Sequence, residues 1–130
     1  MRLIQILFIA LLTPLQTVVA NDAEVVEAEF RKQGETWHVS ATLRHDDAGW
    51  DHYADAWQVV DKAGKVLGKR VLYHPHESEQ PFTRSQSGIR IPAGVTIVYV
   101  EAHDKVHGWN KQRLRIDLNQ ASGKNFRVHR

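Results

Sequence analysis

Histidine and aspartate residues are grouped in this 130-residue chain, which contains eight histidines and no cysteine. Most of them fall in three polar stretches, residues 45–52, 74–77 and 103–107. Imidazole and carboxylate groups together bind Zn(II), Cu(II) or Ni(II) when several of them lie within about 2.0–2.3 Å of one ion. The chemistry that these residue types favour is therefore the binding of a transition metal.

The elements that must position these stretches are β-strands. Residues 37–43 alternate apolar and polar side chains, which is the period of a half-buried strand. Six further short segments have strand character: 24–31, 54–60, 65–73, 89–91, 95–102 and 114–118. Residues 74–86 are polar, contain two prolines and are expected to form a long loop. The pattern predicts an all-β protein, a seven-stranded sandwich of the immunoglobulin or fibronectin type III kind.

In such a sandwich, the loops after the second, fourth and sixth strands lie at one pole. Loops on a rigid scaffold can bring together ligands from distant sequence positions. This topology collects seven candidate metal ligands at the pole: His45, His52, His74, His76, His103, Asp104 and His107. His38 and His129 lie elsewhere. The sequence therefore predicts a loop-built site for zinc or copper(II).

The same residues also permit a pole without metal. His45 and Asp104 continue the buried parity of their strands, so a hydrogen bond between them is one alternative. A polar network in which Arg44 or Arg84 pairs with the acids is another. Aromatic residues such as Trp50 accompany these polar groups, as they do at protein interfaces. The alternative function is thus a non-catalytic module that binds a ligand or another exported protein.

A catalytic role is less favoured than a binding role. The chain has no serine or cysteine nucleophile motif and no glycine-rich phosphate loop. A water activated by a bound metal is the one catalytic device that these residues permit. The sequence leaves the question of enzymatic activity open and favours binding.

The first twenty residues have the organisation of a secretory signal peptide. Arg2 supplies the positive charge, residues 3–12 the apolar stretch, and Val18-Val19-Ala20 the small residues before a predicted cut. Polar residues and Pro14 interrupt the segment, which is short of the about 20 apolar residues of a spanning helix. We therefore expect a signal peptide over 1–20, a β-sandwich over 21–118 and a C-terminal tail over 119–130. The expected product is periplasmic or secreted and has no stable membrane span, and no cysteine is present for a lipid anchor.

The charge of the chain argues against a nucleic-acid partner. The formal net charge is +2, of which Arg2 contributes one unit. A nucleic-acid-binding face needs clustered lysine and arginine, and the only basic run is residues 124–130. Loss of the signal also removes the single methionine, so soft sulfur ligands would be absent and Zn(II) or Cu(II) is favoured over Cu(I). The expected partners are a metal ion or another exported protein.

Three stretches carry a resemblance to a protein family. They are residues 45–55 (HDDAGWDHYAD), 74–84, with His74-Pro75-His76, and 102–108, with Ala102-His103-Asp104. They are similar to stretches in a family of small uncharacterised exported bacterial proteins, over most of residues 36–118. The resemblance implies a periplasmic location and a β-sandwich and carries no assigned activity.

Two other metal-protein families fit less well. His107-Gly108-Trp109 is similar to part of the superoxide reductase iron site, but the cysteine ligand of that family is missing. A blue-copper site is excluded for the same reason, because it requires a cysteine ligand.

Overall fold

The computed structural model describes residues 9–10 and 22–130. The predicted signal peptide therefore lies outside the described residues, except for Ile9 and Ala10. Residues 22–130 contain only strands, turns and irregular segments, so the all-β prediction is confirmed. The described part of the chain includes no helix long and apolar enough to span a membrane.

Nine strands form two sheets in the described residues. The strands are β1 Glu24–Gln33, β2 Thr36–Arg44, β3 Ala54–Val60, β4 Val66–Val71, β5 Phe82–Ile89, β6 Ile97–Asp104, β7 Gly108–Asp117, β8 Ser122–Gly123 and β9 Phe126–His129. One sheet has the order β5-β2-β1-β9-β8, and the other has the order β4-β3-β6-β7. All pairings are antiparallel except that of β1 with β9, which is parallel.

The core consists of apolar side chains from both sheets. The alternation of β2 places Trp37 and Leu43 in this core, as its period predicts. Trp57 of β3 is fully buried. Phe30 of β1 packs edge-on against Trp37, with ring centroids 6.3 Å apart. Apolar alternation in the strands therefore accounts for the packing of the two sheets.

The predicted loop at 74–86 is too long, because its last residues belong to β5. This strand begins at Phe82, which pairs with Leu43 of β2. Its next pair is joined by side-chain hydroxyls, with 2.7 Å between the Oγ1 atoms of Thr42 and Thr83. Hydroxyl pairs across neighbouring strands stabilise a sheet without apolar alternation. For this reason the strand has a polar sequence.

The C-terminal residues 119–130, predicted as a tail, form β8 and β9. Phe126 and Val128 of β9 are both buried in the core. Gly123 of β8 pairs with Phe126, and a Cβ on this glycine would lie 2.3 Å from the Phe126 ring. The sandwich of described residues thus has nine strands instead of the seven predicted, because the C-terminal segment covers an edge of β1.

Phe126→Ala is expected to lower the free energy of unfolding by about 3 kcal/mol, the lower end of the range for a buried phenylalanine. Urea denaturation followed by tryptophan fluorescence measures this loss. Arg127→Ala is the matched control, because Arg127 is exposed on the same strand. Equal stabilities of the two variants would show that β9 does not contribute to the core.

The end of β2, the start of β3 and the end of β6 lie at one pole of the two sheets. Glu24 at the start of β1 pairs with Arg44 at the end of β2. In the other sheet, Ala54 at the start of β3 pairs with Asp104 at the end of β6. The residues that follow β2 meet the end of β6, since His52 Nε2 lies 3.3 Å from Asp104 Oδ1, and this is the pole that the sequence pattern predicted.

Candidate metal-binding site

Three of the predicted ligands form one compact group at this pole. His45 follows β2, His52 lies in the loop before β3, and Asp104 ends β6. Each offers one ligand atom, and these atoms all lie within 4.8 Å of one another. His52 Nε2 lies 3.3 Å from Asp104 Oδ1, and the His45 and His52 ring centroids are 4.8 Å apart. We call these three residues the inner group.

Asp47 holds the His45 ring in position. The Nδ1–H of His45 donates to Asp47 Oδ1 at 2.5 Å, and both side chains are inaccessible to solvent. The same carboxylate accepts the backbone N–H of Ala54 at 3.0 Å and that of His76 at 2.7 Å. Carboxylates fix the orientation of histidine rings in this way in many metal sites. The buried Asp47 side chain therefore fixes the orientation of the His45 ring.

Asp104 is an ionised carboxylate within the protein interior. Its side chain is fully buried, and its Oδ1 accepts the backbone N–H groups of Val106 at 2.9 Å and His107 at 2.8 Å. Burial raises the pKa of Asp104, but these N–H groups and the His107 and His45 rings outweigh it and leave the pKa below its ordinary value. Within the described residues, Oδ2 has no hydrogen-bond partner. The inner group therefore contains a negative charge with an unused oxygen.

A second group adjoins the first and shares Asp104 with it. The Nδ1 of His107 lies 3.1 Å from Asp104 Oδ1 and 3.5 Å from Asp22 Oδ1. The ligand atoms of Asp22, Asp104 and His107 also lie within 4.8 Å of one another. Asn110 donates to the backbone oxygen of the buried Ala23 at 2.9 Å, which ties the segment that carries Asp22 to β7. We call Asp22, Asp104 and His107 the outer group.

His76 is next to the inner group but belongs to neither group. Its ring stacks on Phe82, with centroids 4.0 Å apart and an interplanar angle of 12°. Its Nδ1 lies 3.9 Å from Asp47 Oδ2, and both ring nitrogens are buried with no hydrogen-bond partner in the part of the chain described. Burial lowers the pKa of His76, and the charges of Arg84 and His74 lower it further. The charges of Asp47 and Glu79 raise this pKa, but by less. The ring is therefore a neutral packing element.

The other two predicted ligands also lie outside both groups. His74 is exposed, with its ring centroid 4.7 Å from that of His76. The Nδ1 of His103 pairs with Asp55, and its ring is 4.9 Å from Trp109. Because successive strand residues point to opposite faces, His103 points away from the face of Asp104. The structure thus joins four of the seven predicted ligands in two groups: His45, His52, Asp104 and His107.

The arginines proposed as partners of the acids contact other carboxylates. Arg44 lies 4.0 Å from Glu24, and Arg84 lies 3.4 Å from Glu79. Both pairs are at least partly exposed, and such pairs contribute little to stability. No ion pair in the described residues joins either arginine to Asp47 or Asp104. Within the described residues, the side chains of Asp47 and Asp104 therefore pair with histidines.

Sequence reasoning missed the roles of Asp22, Asp47 and Asp55. Asp47 carried a weak signal, because it lies two residues after His45 in a loop rich in acids. Asp55 is a strand residue whose partner is 48 positions away, and its pairing with His103 follows only from the register of β3 and β6. Asp22 carried no signal, since its distance to His107 depends on how β1 begins beside β7.

The buried neutral ring of His76 is expected to make stability depend on pH. In the unfolded protein, this histidine takes up a proton near its ordinary pKa of 6.5. In the folded protein, it binds that proton only at lower pH. Its contribution is therefore fully present above pH 6.5 and is lost as the pH falls towards the lowered pKa. His76→Phe keeps the stack on Phe82 and removes the titration. Urea denaturation with EDTA should show a smaller loss of stability below pH 6.5 in the variant; parallel pH profiles would contradict this.

Comparison with known proteins gives one sequence relative and one structural neighbour. No protein-family model matches the chain. A protein of Halomicrobium mukohataei described as "Putative lipoprotein" is 45% identical over 98 residues, which cover 75% of this chain and 48% of that protein. The chain thus spans about half the length of this curated relative. The superoxide reductase (1Fe-SOR) from Giardia intestinalis is 18% identical, with a TM-score of 0.43, and the match covers 73% of this chain and 99% of that one. This structural similarity is too low to assign a fold or a function.

Proposed function

We propose that this protein is an exported metal-binding module, and that the inner group of His45, His52 and Asp104 binds a Zn(II) or Cu(II) ion. The ion would be held by two imidazoles and one carboxylate, with its remaining coordination positions open to water or a ligand. Such a protein would buffer or deliver the metal outside the cytoplasm.

The observation that carries this proposal is the unsatisfied state of the buried polar atoms in the inner group. Asp104 Oδ2 is buried and has no hydrogen-bond partner in the described chain, and the buried His52 Nε2 has only its 3.3 Å contact with Asp104 Oδ1. Each such atom costs about 1–3 kcal/mol when left unpaired. A bound cation would satisfy them together and would also neutralise Asp104. The preorganised ring of His45 supports the same interpretation, because a carboxylate behind a ligand histidine increases its basicity.

The choice of metal rests on the donor atoms, which are nitrogen and oxygen only. With no cysteine in the chain, these donors suit Zn(II) or Cu(II) and not the softer Cu(I). The exported location is supported by the signal-like N-terminus and by the relative's description as a lipoprotein. An immunoglobulin or fibronectin type III arrangement of β1–β7 is supported by the β5-β2-β1 and β4-β3-β6-β7 orders. In this arrangement, β8 and β9 would be an addition.

The second candidate function is a non-catalytic module that binds a protein or another ligand through the same loops. Exposed apolar side chains beside the site favour it: Trp50 is 63% exposed, Tyr73 76% and Val106 60%. Aromatic groups of this kind are enriched at protein interfaces. In this alternative, the histidines and Asp104 would only connect the loops, and the protein would bind no metal.

Calorimetric titration of the protein with Zn(II) at neutral pH separates the two candidates. The metal-binding function predicts a dissociation constant far below the millimolar range, and a His45→Ala, His52→Ala double variant that has lost this binding. His38→Ala is the matched control, because His38 lies on β2 with its Nδ1 2.6 Å from Ser87 Oγ. Wild-type protein with no affinity tighter than millimolar for Zn(II) or Cu(II) would refute the proposal and favour the second candidate.

A further inference from the structure

We infer that the pole binds two metal ions, the second one in the outer group of Asp22, Asp104 and His107, with Asp104 as the ligand common to both ions. This inference rests on the proposed function, because it takes the inner group as the first metal position. It assigns to Asp22, at the start of the described domain, the role of a metal ligand.

The spacing of the ligand atoms favours two positions over one. Ligands of one zinc lie within about 2.3 Å of it, so any two of them are at most about 4.6 Å apart. In each group, the ligand atoms lie within 4.8 Å of one another, which is close to this limit before any adjustment to an ion. The two groups have only Asp104 in common, and Asp22 and His107 are not in the inner one. The observed spacing is therefore close to that of two ions that share Asp104.

Asp104 contacts both groups; its Oδ1 already accepts the N–H groups of Val106 and His107, and its Oδ2 is the oxygen without a partner among the described residues. A carboxylate has two oxygens with about four lone-pair sites. Oδ1 faces both groups, at 3.3 Å from His52 Nε2 and 3.1 Å from His107 Nδ1. Carboxylates shared in this way hold two ions roughly 3.5–4 Å apart in known two-metal sites.

The outer group already has the arrangement of a cation site. The Nδ1 atom of His107 lies close to two carboxylates at once, 3.1 Å from Asp104 and 3.5 Å from Asp22. A metal ion in this position would bind the nitrogen and the two carboxylates directly.

The surrounding charge limits the repulsion between two dications. Asp104 and Asp22 contact the ions directly, and Asp47 is linked to the inner position through the His45 ring. These three carboxylates offset most of the added positive charge. Because Asp22 and His107 are about one-third exposed, water screens the outer ion more than the inner ion. The outer ion should therefore bind second and more weakly.

Native mass spectrometry of the full chain, produced with its own N-terminal segment and titrated with Zn(II), tests this inference. We expect two zinc ions per chain, bound in two steps. Asp22→Asn and His107→Ala should each bind one zinc, with the tighter step retained, and the control His38→Ala should still bind two. With Cu(II) instead, the doubly loaded wild type should show the half-field electron paramagnetic resonance signal of two neighbouring ions. Thermal melts of the metal-free variants show whether they are folded.

The results distinguish failure of this inference from failure of the proposed function. A wild type that binds one zinc, lost in the His45→Ala, His52→Ala variant, would overturn the second position and leave the function standing. Two zinc ions in Asp22→Asn and in His107→Ala would also overturn it, because the second ion would then lie elsewhere. A wild type that binds no zinc or Cu(II) would refute the function itself.

Discussion

Replacement of Asp104 by asparagine is expected to remove both steps of zinc binding, which is the largest effect of any single change at the pole. Asp104 is the residue common to the inner and outer groups. An amide keeps an oxygen that can accept the N–H groups of Val106 and His107, so the loop should keep its shape. It lacks the negative charge that attracts a cation in a buried position. The loss should exceed the roughly 10–100-fold that follows removal of an orienting group.

Calorimetry with Zn(II) measures this effect, and Asp55→Asn is its matched control. Asp55 is also an aspartate paired with a histidine, but its partner His103 lies outside both groups. The control should bind zinc as the wild type does. If Asp104→Asn retains wild-type affinity for zinc while Asp55→Asn loses it, the metal position assigned to the loops is wrong. The Asp55–His103 pair would then be the site.

Asp47→Ala is expected to cause the second large effect, on stability and on affinity together. The Asp47 carboxylate accepts three hydrogen bonds, from the His45 ring and from the backbone N–H groups of Ala54 and His76. Without it, these donors lose their acceptor in a buried place, at about 1–3 kcal/mol each. The free energy of unfolding should fall by about 3 kcal/mol or more. Zinc affinity should fall by about 10–100-fold because His45 is no longer oriented.

Urea denaturation with EDTA measures the change in stability, and calorimetry on the folded variant measures the change in affinity. Asp46→Ala is the matched control, since Asp46 is the neighbouring aspartate and is exposed. It should change neither quantity appreciably. A loss of stability in Asp47→Ala with unchanged zinc affinity would show that Asp47 only joins the loops and does not orient a ligand.

The strands near the site could be predicted because their apolar periodicity is strong. Residues 37–43 and 54–60 carry buried side chains in the positions expected, and β3 has the predicted bounds. The strand at 82–86 could not be predicted in the same way. Its cross-strand pairs, such as Thr42 with Thr83, are made by hydroxyls that resemble loop residues when the sequence is read alone. Strand β9 was missed because it is four residues long and because its partner β1 is far from it in the sequence.

The sequence by itself determined the all-β class, the strands that frame the pole and the presence of histidines and acids in the loops at that pole. These features are local, since they depend on side-chain period and on residue type. Only the tertiary structure decided which of the candidates come together. It places the His76 ring on Phe82, pairs His103 with Asp55, and brings Asp22 to His107 from 85 positions away in the chain. Distances of a few ångströms between loop side chains depend on strand register and on the conformation of each loop, and residue spacing does not encode either one.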